Sequence, residues 1–151
     1  NVYGPGPQSS SIDRGILNMM IGKALKGEAL TIYGDGNFIR DYIYIEDVVR
    51  AFLIAGANID ILKGDYYIIG SGVGYTIKEA VDIIGECVNQ KTNKKVQIVN
   101  IPLPKDISLI DLRNFVADST KFITLTGWKP ITSLEKGIAL TIDHILEEKG
   151  I

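Results

Sequence analysis

The 151-residue chain lacks several features that would assign it to common protein classes. It contains one cysteine, Cys87, and one histidine, which excludes an intramolecular disulfide and argues against a clustered zinc site. Its 16 basic and 18 acidic residues give a formal charge of −2, so no broad cationic field would attract nucleic acid. No apolar run approaches the roughly 18 residues of a membrane span. We therefore expect a cytoplasmic protein with neither membrane nor nucleic acid as partner.

Hydrophobic residues make up 46% of the chain, enough for one buried core, so a single domain is expected. The mean hydropathy is slightly positive, which is high for a small domain that must cover its own surface. This composition indicates that part of the surface faces a partner.

Periodicity predicts a helix and a hairpin in the first third of the chain. Apolar residues recur at helical spacing over residues 12–26, with Asp13 as a possible start and Gly27 as the end. Strand-like segments at 29–34 and 40–45 flank a Gly-Asp-Gly turn, a pattern that favours a β-hairpin.

Further along, residues 64–72 form an almost wholly apolar run, typical of a strand covered on both faces as in a parallel sheet. Other predicted elements are helices at 46–57, from Thr76 to about Asn89, from Asp118 to about Gly127 and from Thr132 to about Lys149, and a strand within 95–104. This alternation predicts a small mixed α/β fold. Because only one strand appears fully buried, we expect that it lacks its sheet neighbours.

Arg40 follows the glycine turn at the mouth of a predicted strand. Its guanidinium carries a planar fork of donors that matches phosphate oxygens, so a diphosphate is a natural ligand. A surface ion pair with Asp41 or Asp47 explains the same spacing equally well, and the local pattern leaves both readings open.

An ordered series of motifs runs along nearly the whole chain: "NVYGPG", "IYGDGxxxRDYIYIEDVV", "IIGSG", "ADSTKxxxLTGWKP" and "SLEKGI". The series resembles the C-terminal half of the NAD-dependent nucleotide-sugar epimerases and dehydratases, which are extended short-chain dehydrogenase/reductases similar to UDP-glucose 4-epimerase. The resemblance implies that residues 1–151 form a C-terminal nucleotide-sugar-binding domain. It also implies an N-terminal Rossmann domain, absent from this chain, that binds NAD or NADP and packs on residues 46–72. A homodimer is implied for the intact enzyme.

The resemblance also implies which residues contact a nucleoside-diphosphate sugar. Asn1 matches an asparagine near the phosphates or sugar, Leu17 lies on the helix facing the nucleotide, and Arg40 matches the arginine that grips the pyrophosphate. The segment that packs around the base, with main-chain groups reading its edge, corresponds to Leu30, Ile32 and Tyr33.

Two positions depart from the family pattern. Ile68 replaces a common asparagine, and an arginine of many relatives would fall near Ser108. Arg113 is the nearest replacement for a second phosphate contact. A loop salt bridge of Arg113 with Asp111 or Asp118 is an equally weighted alternative.

None of the tyrosines has a lysine four positions later, and the dinucleotide fingerprint of the family is not found. We therefore expect no catalytic, cofactor-binding or metal-binding residue here, and an inactive chain when it stands alone. The start without methionine, inside a motif, suggests a piece of a longer enzyme. Epimerase is favoured over dehydratase, because both departures fall where dehydratases commonly keep a polar residue. A non-catalytic binding module and a purely structural one are the alternatives.

Overall fold

The computed structural model describes residues 1–6, 15–148 and 150. The strands are β1 (Val2–Tyr3), β2 (Leu30–Tyr33), β3 (Ile39–Asp41), β4 (Ile43–Tyr44), β5 (Gly74–Thr76) and β6 (Ile98–Ile101). The helices are α1 (Ile16–Lys26), α2 (Ile45–Ala57), α3 (Ile59–Leu62), α4 (Ile77–Thr92), α5 (Leu109–Leu112), α6 (Thr120–Thr126) and α7 (Leu134–Glu148). The mixed α/β class predicted from the sequence is confirmed.

The strands pair in twos across long sequence separations. β1 pairs with β4 and β2 with β6, both in parallel, whereas β3 pairs antiparallel with β5. The predicted hairpin between residues 29–34 and 40–45 is therefore wrong. Gly36, at φ 71°, does not turn the chain back: its carbonyl accepts from Lys78 N at 3.1 Å, which ties the turn to the start of α4.

The predicted strand at 40–45 is also divided. β3 ends at Asp41, β4 covers only Ile43 and Tyr44, and α2 begins at Ile45. The chain changes partner at this point, because Ile43 N donates to Asn1 O at 3.2 Å instead of continuing the ladder with β5.

Three helices, α1, α4 and α7, pack together over one face of the strands to form the main core. Each helix contributes apolar residues three or four positions apart, the spacing that puts side chains on one helical face. These buried residues include Leu17, Ile21 and Ala24 of α1, Val81, Ile84 and Val88 of α4, and Leu134, Ile138 and Ile142 of α7.

Several predicted helix ends are confirmed and others shift. Thr76 and Glu79 form the predicted capping box of α4, and Gly27 ends α1 at φ 80°. At α7 the predicted cap Thr132 is wrong by one position, because Lys136 N donates to Ser133 Oγ at 3.3 Å. Thr132 N donates instead to Asp47. The predicted bounds at Asp13 and Lys149 lie outside the described residues, and α6 begins at Thr120, two residues after the predicted Asp118.

Residues 64–72 are not a strand, contrary to the prediction, because none of the described strands lies beside them to complete a ladder. Their side chains still alternate. Tyr66 and Ile68 are 80% and 49% exposed, whereas Tyr67 and Ile69 pack on a second apolar cluster that contains Phe122 and Trp128. The prediction of burial on both faces therefore holds for one face only.

Large exposed apolar side chains also occur on α2 and α3. We group them with Tyr66 and Ile68 under the name apolar face, whose members are Val49, Phe52, Leu53, Ile59, Ile61, Tyr66 and Ile68. Among the described helices, none is both long enough and apolar enough to cross a bilayer.

Candidate functional site

A cavity of about 600 Å³ opens beside β3, between the start of the chain, the end of β2 and the loop that follows β6. Its lining includes three residues that the sequence singled out: Asn1, Tyr33 and Arg40. Asn1 and Arg40 are far apart along the chain but converge because β1 pairs with β4, which begins two residues after β3 ends. Asn1 Nδ2 donates to Asp41 O at 3.2 Å, which fixes this convergence.

The Arg40 guanidinium is held by backbone carbonyl groups. Its Nη2 donates to Asp111 O at 2.6 Å, and its Nη1 donates to Ile39 O at 2.9 Å and to Arg113 O. A guanidinium has five N–H donors, so two remain for a ligand after these three bonds. Arg40 is half-buried, and these bonds hold its guanidinium at the wall of the cavity.

The ion pair of Arg40 with Asp41 or Asp47 is not formed. Both carboxylates are buried, and both accept hydrogen bonds elsewhere. Of the two interpretations of Arg40 that its spacing allowed, the structure therefore excludes the surface ion pair.

Asp41 is a scaffold of the site that the sequence analysis did not identify. It is 2% exposed, and its side chain points away from the cavity, since alternate residues of a strand face opposite sides. Its Oδ1 accepts from Ser71 N at 2.8 Å and from Ser71 Oγ at 2.6 Å, and its Oδ2 accepts from Gly72 N and Ala117 N, both at 3.0 Å. Asp41 thereby holds β3 against two loops while Arg40 faces the cavity.

Asp47 has a similar role at the start of α2. It is 1% exposed, pairs with Arg50, and accepts from Ile131 N at 3.2 Å and Thr132 N at 3.0 Å. This carboxylate joins α2 to the segment that enters α7.

The remaining sequence-predicted residues occupy different environments. Leu30 and Tyr33 line a smaller cavity of about 140 Å³ that shares Tyr33 with the larger one. Leu17 and Ile32 are 2% and 1% exposed and belong to the main core. Their side chains line neither of these two cavities.

The guanidinium of Arg113 does not reach the cavity. Arg113 is exposed, and its guanidinium carbon lies 5.6 Å from the centre of the Phe115 ring. The alternative salt bridge with Asp111 or Asp118 is not formed in the described part of the chain either. What Arg113 supplies is its carbonyl oxygen, which accepts from Arg40.

Two groups of lining residues escaped the sequence analysis. Phe38 and Tyr42 lie two positions before and after Arg40, so strand alternation could have placed them beside it. Leu103, Pro104 and Ile107 come from the loop after β6, and no local pattern connects that loop with Arg40. At Ser108, where many relatives have arginine, the hydroxyl accepts from Ile110 N at 3.2 Å and caps α5.

Tyr42 is only 3% exposed although it lines the cavity. Burial raises the pKa of its phenol to about 12, and the nearby positive charge of Arg40 partly opposes that rise. The phenol therefore stays protonated, and able to donate, throughout the neutral range.

The glycine-rich turn at residues 70–74 does not provide a dinucleotide site. Such a site needs free backbone N–H groups for the pyrophosphate. Ser71 N and Gly72 N already donate to the Asp41 carboxylate. These two N–H groups are therefore not free for a pyrophosphate.

Comparison with solved structures identifies the class of fold. The UDP-glucose 4-epimerase of Thermotoga maritima, solved with UDP-glucose, superposes with a TM-score of 0.78 at 33% sequence identity. The match covers 99% of this chain and 44% of that one. The fold is thus that of part of a nucleotide-sugar epimerase.

Sequence comparison identifies the family. The family described as "NAD dependent epimerase/dehydratase family" matches residues 1–70. The chain is 31% identical to the UDP-glucose 4-epimerase of Mycolicibacterium smegmatis over 95% of its own length and 42% of the relative's. It is 30% identical to the dTDP-glucose 4,6-dehydratase of Xanthomonas campestris pv. campestris, covering 97% of this chain and 40% of that protein. The chain belongs to the NAD-dependent epimerase/dehydratase family and spans about two fifths of these two relatives.

Proposed function

We propose that this chain is the substrate-binding portion of an NAD-dependent nucleoside-diphosphate-sugar epimerase or dehydratase, and that Arg40 holds the diphosphate. The observation that carries the proposal is the convergence of Asn1, Tyr33 and Arg40 on one cavity of about 600 Å³. Relatives of both enzyme types match the chain over nearly its whole length. The two departures from the family pattern, at Ile68 and near Ser108, favour an epimerase.

The charge distribution of the cavity supports the placement of the phosphates. Arg40 is the only cation among the described lining residues, whereas Asp106 and Asp111 carry negative charges. An anionic ligand would therefore be drawn toward the guanidinium and away from the acidic part of the loop. Fork-like donation from an arginine to phosphate oxygens is among the stronger polar contacts in proteins.

The smaller cavity offers a place for the base. Its described lining is mainly apolar and includes Met19, Leu30 and Tyr33, which suits one face of an aromatic ring. The two cavities share Tyr33, so a nucleotide could extend from one into the other. Leu17 and Ile32 would support this subsite from the core by positioning α1 and β2.

The apolar face supports the proposal of a missing partner. Phe52, Leu53 and Tyr66 are 75%, 69% and 80% exposed, and an excess of large exposed apolar side chains typically marks an interface. The proposed occupant is an N-terminal Rossmann domain of the same protein, which supplies the hydride acceptor and the catalytic Tyr-xxx-Lys pair. The chain alone is then inactive, and the intact enzyme is a cytoplasmic homodimer.

Calorimetry with UDP, UDP-glucose, dTDP-glucose, CDP-glucose and GDP-mannose tests the site. Loss of a charged hydrogen-bonded pair costs about 2 to 5 kcal/mol, so Arg40→Ala should weaken binding by about 30-fold to more than 1,000-fold. Arg40→Lys keeps the positive charge but not the fork of donors. Its affinity for the nucleotide should therefore lie between that of Arg40→Ala and that of the unchanged protein.

Arg113→Ala is the matched control. It removes an exposed guanidinium but keeps the carbonyl that accepts from Arg40, so it should leave the affinity unchanged. Equal affinity of the Arg40→Ala variant and the unchanged protein would contradict the proposal. Absence of binding to any nucleotide would favour the purely structural alternative.

A further inference from the structure

The hydroxyl of Tyr42 has no hydrogen-bond partner within the described residues, although its side chain is 3% exposed. Buried polar groups normally have a partner, and each exception needs an explanation. Tyr3, which is equally buried, follows this rule by donating from Oη to Leu134 O at 3.3 Å.

The part of Tyr42 Oη that is still accessible opens into a cavity. In the described residues, no fully enclosed side-chain nitrogen or oxygen lacks a partner. The unpartnered Oη must therefore retain a small opening, and Tyr42 lines the 600 Å³ cavity. It also borders a cavity of about 250 Å³ near the start of α7.

Shared lining and charge select the larger of these two cavities. Arg40 and Tyr42 both line it, whereas the cavity near α7 is lined by Tyr42 without Arg40. Arg40 is also the charge whose field acts on the Tyr42 phenol. The hydroxyl and the guanidinium thus face the same space.

We propose that Tyr42 Oη donates a hydrogen bond to a phosphate oxygen of the ligand that Arg40 holds. The inference rests on the proposed function, because it assumes that a diphosphate lies at Arg40. A neutral O–H donor adds to the binding of an anion without needing a second cation, and hydrogen bonds to charged oxygens are the stronger kind. Tyr42 thereby becomes a specificity residue for the diphosphate rather than for the base or the sugar.

The test compares Tyr42→Phe, which keeps the ring, with Tyr33→Phe, which removes a hydroxyl from the wall of the same cavity. The probes are UDP, UDP-glucose, uridine and inorganic pyrophosphate, titrated into the chain by calorimetry. We expect Tyr42→Phe to weaken the binding of UDP, UDP-glucose and pyrophosphate by about tenfold each. This is the size of effect typical of a hydrogen bond to a charged group. Uridine should bind as before, and Tyr33→Phe should not reproduce this pattern.

A second measurement separates ligand contact from structural support. Because Tyr42 Oη has no described protein partner, the urea midpoint of the ligand-free Tyr42→Phe variant should match that of the unchanged chain. A lowered midpoint with unchanged affinity would assign the hydroxyl to the fold and overturn the inference. A loss confined to UDP-glucose would show that the hydroxyl serves the sugar, and that outcome also overturns it.

Failure of this inference and failure of the proposed function look different. If the proposed function is wrong, UDP does not bind, or it binds to Arg40→Ala as tightly as to the unchanged chain. If only the Tyr42 inference is wrong, UDP binding depends on Arg40 but is the same in Tyr42→Phe.

Discussion

Replacing Asp41 by asparagine tests whether this buried carboxylate organises the candidate site. Asp41 accepts from three backbone N–H groups and one hydroxyl, all at 2.6 to 3.0 Å. Asparagine has the same shape but replaces one acceptor oxygen with an NH₂ group. In either orientation of the amide, at least one backbone N–H group then faces another donor.

The expected loss follows from the number of donors left without an acceptor. A buried polar group without a partner costs about 1 to 3 kcal/mol, so Asp41→Asn should lower the free energy of unfolding by about that amount. Asp41→Ala removes the acceptor from all three N–H groups and should cost more, at least about 3 kcal/mol. Nucleotide affinity should fall as well, because Asn1 Nδ2 donates to Asp41 O and Arg40 precedes it on β3.

Urea unfolding followed by tryptophan fluorescence measures this effect. The single tryptophan, Trp128, is 1% exposed and donates from Nε1 to Asp47 O at 3.1 Å, so its emission should report loss of the native packing. Asp60→Asn, at an exposed carboxylate of α3, is the matched control and should leave stability within about 0.5 kcal/mol. If Asp41→Asn changed stability as little as this control does, the assignment of Asp41 as a structural anchor would be refuted.

Two further pairs of substitutions test the core and the apolar face. Gly137→Ala should destabilise the chain by more than about 1 kcal/mol despite the higher helix propensity of alanine, because its Cβ would collide with Tyr3 Oη. Gly56→Ala, where a Cβ would meet nothing within 4 Å, should instead stabilise by about 0.5 to 1 kcal/mol in the same urea-unfolding assay, and an equal response of the two variants would contradict this. The apolar face should make the chain self-associate with rising concentration in analytical ultracentrifugation, and Phe52→Glu should weaken this more than Ile131→Glu, at an equally exposed but separate position. A chain that stays monomeric at high concentration would count against the interface.

Local chemistry was sufficient to predict several elements. The side chains of Thr76 and Glu79 each accept a hydrogen bond from the backbone N–H group of the other residue, within one helical turn. Gly27 adopts the positive φ that ends α1. Both features depend on residues no more than four positions apart. The choice of Arg40, which lines the larger cavity, also came from a short motif and its order among others.

The failed predictions involve partners distant in the chain. Residues 30–33 pair with residues 98–101, and the turn after them is bonded to the start of α4, from Lys78 N to Gly36 O. The division of the second strand at Tyr42 likewise depends on the position of Asn1. A period-two pattern shows that a segment is extended, but it does not identify its neighbour.

The sequence by itself determined the family and the mixed α/β class, and it singled out Arg40 as the candidate phosphate contact, because ordered motifs and helix signals are local. Only the tertiary structure showed that Arg40 is held by the carbonyls of residues 111 and 113, and that the Asp41 carboxylate occupies the glycine turn. Hydrogen bonds between groups 30 to 76 positions apart leave no periodic trace in a single sequence. Their geometry follows from how the helices and strands pack.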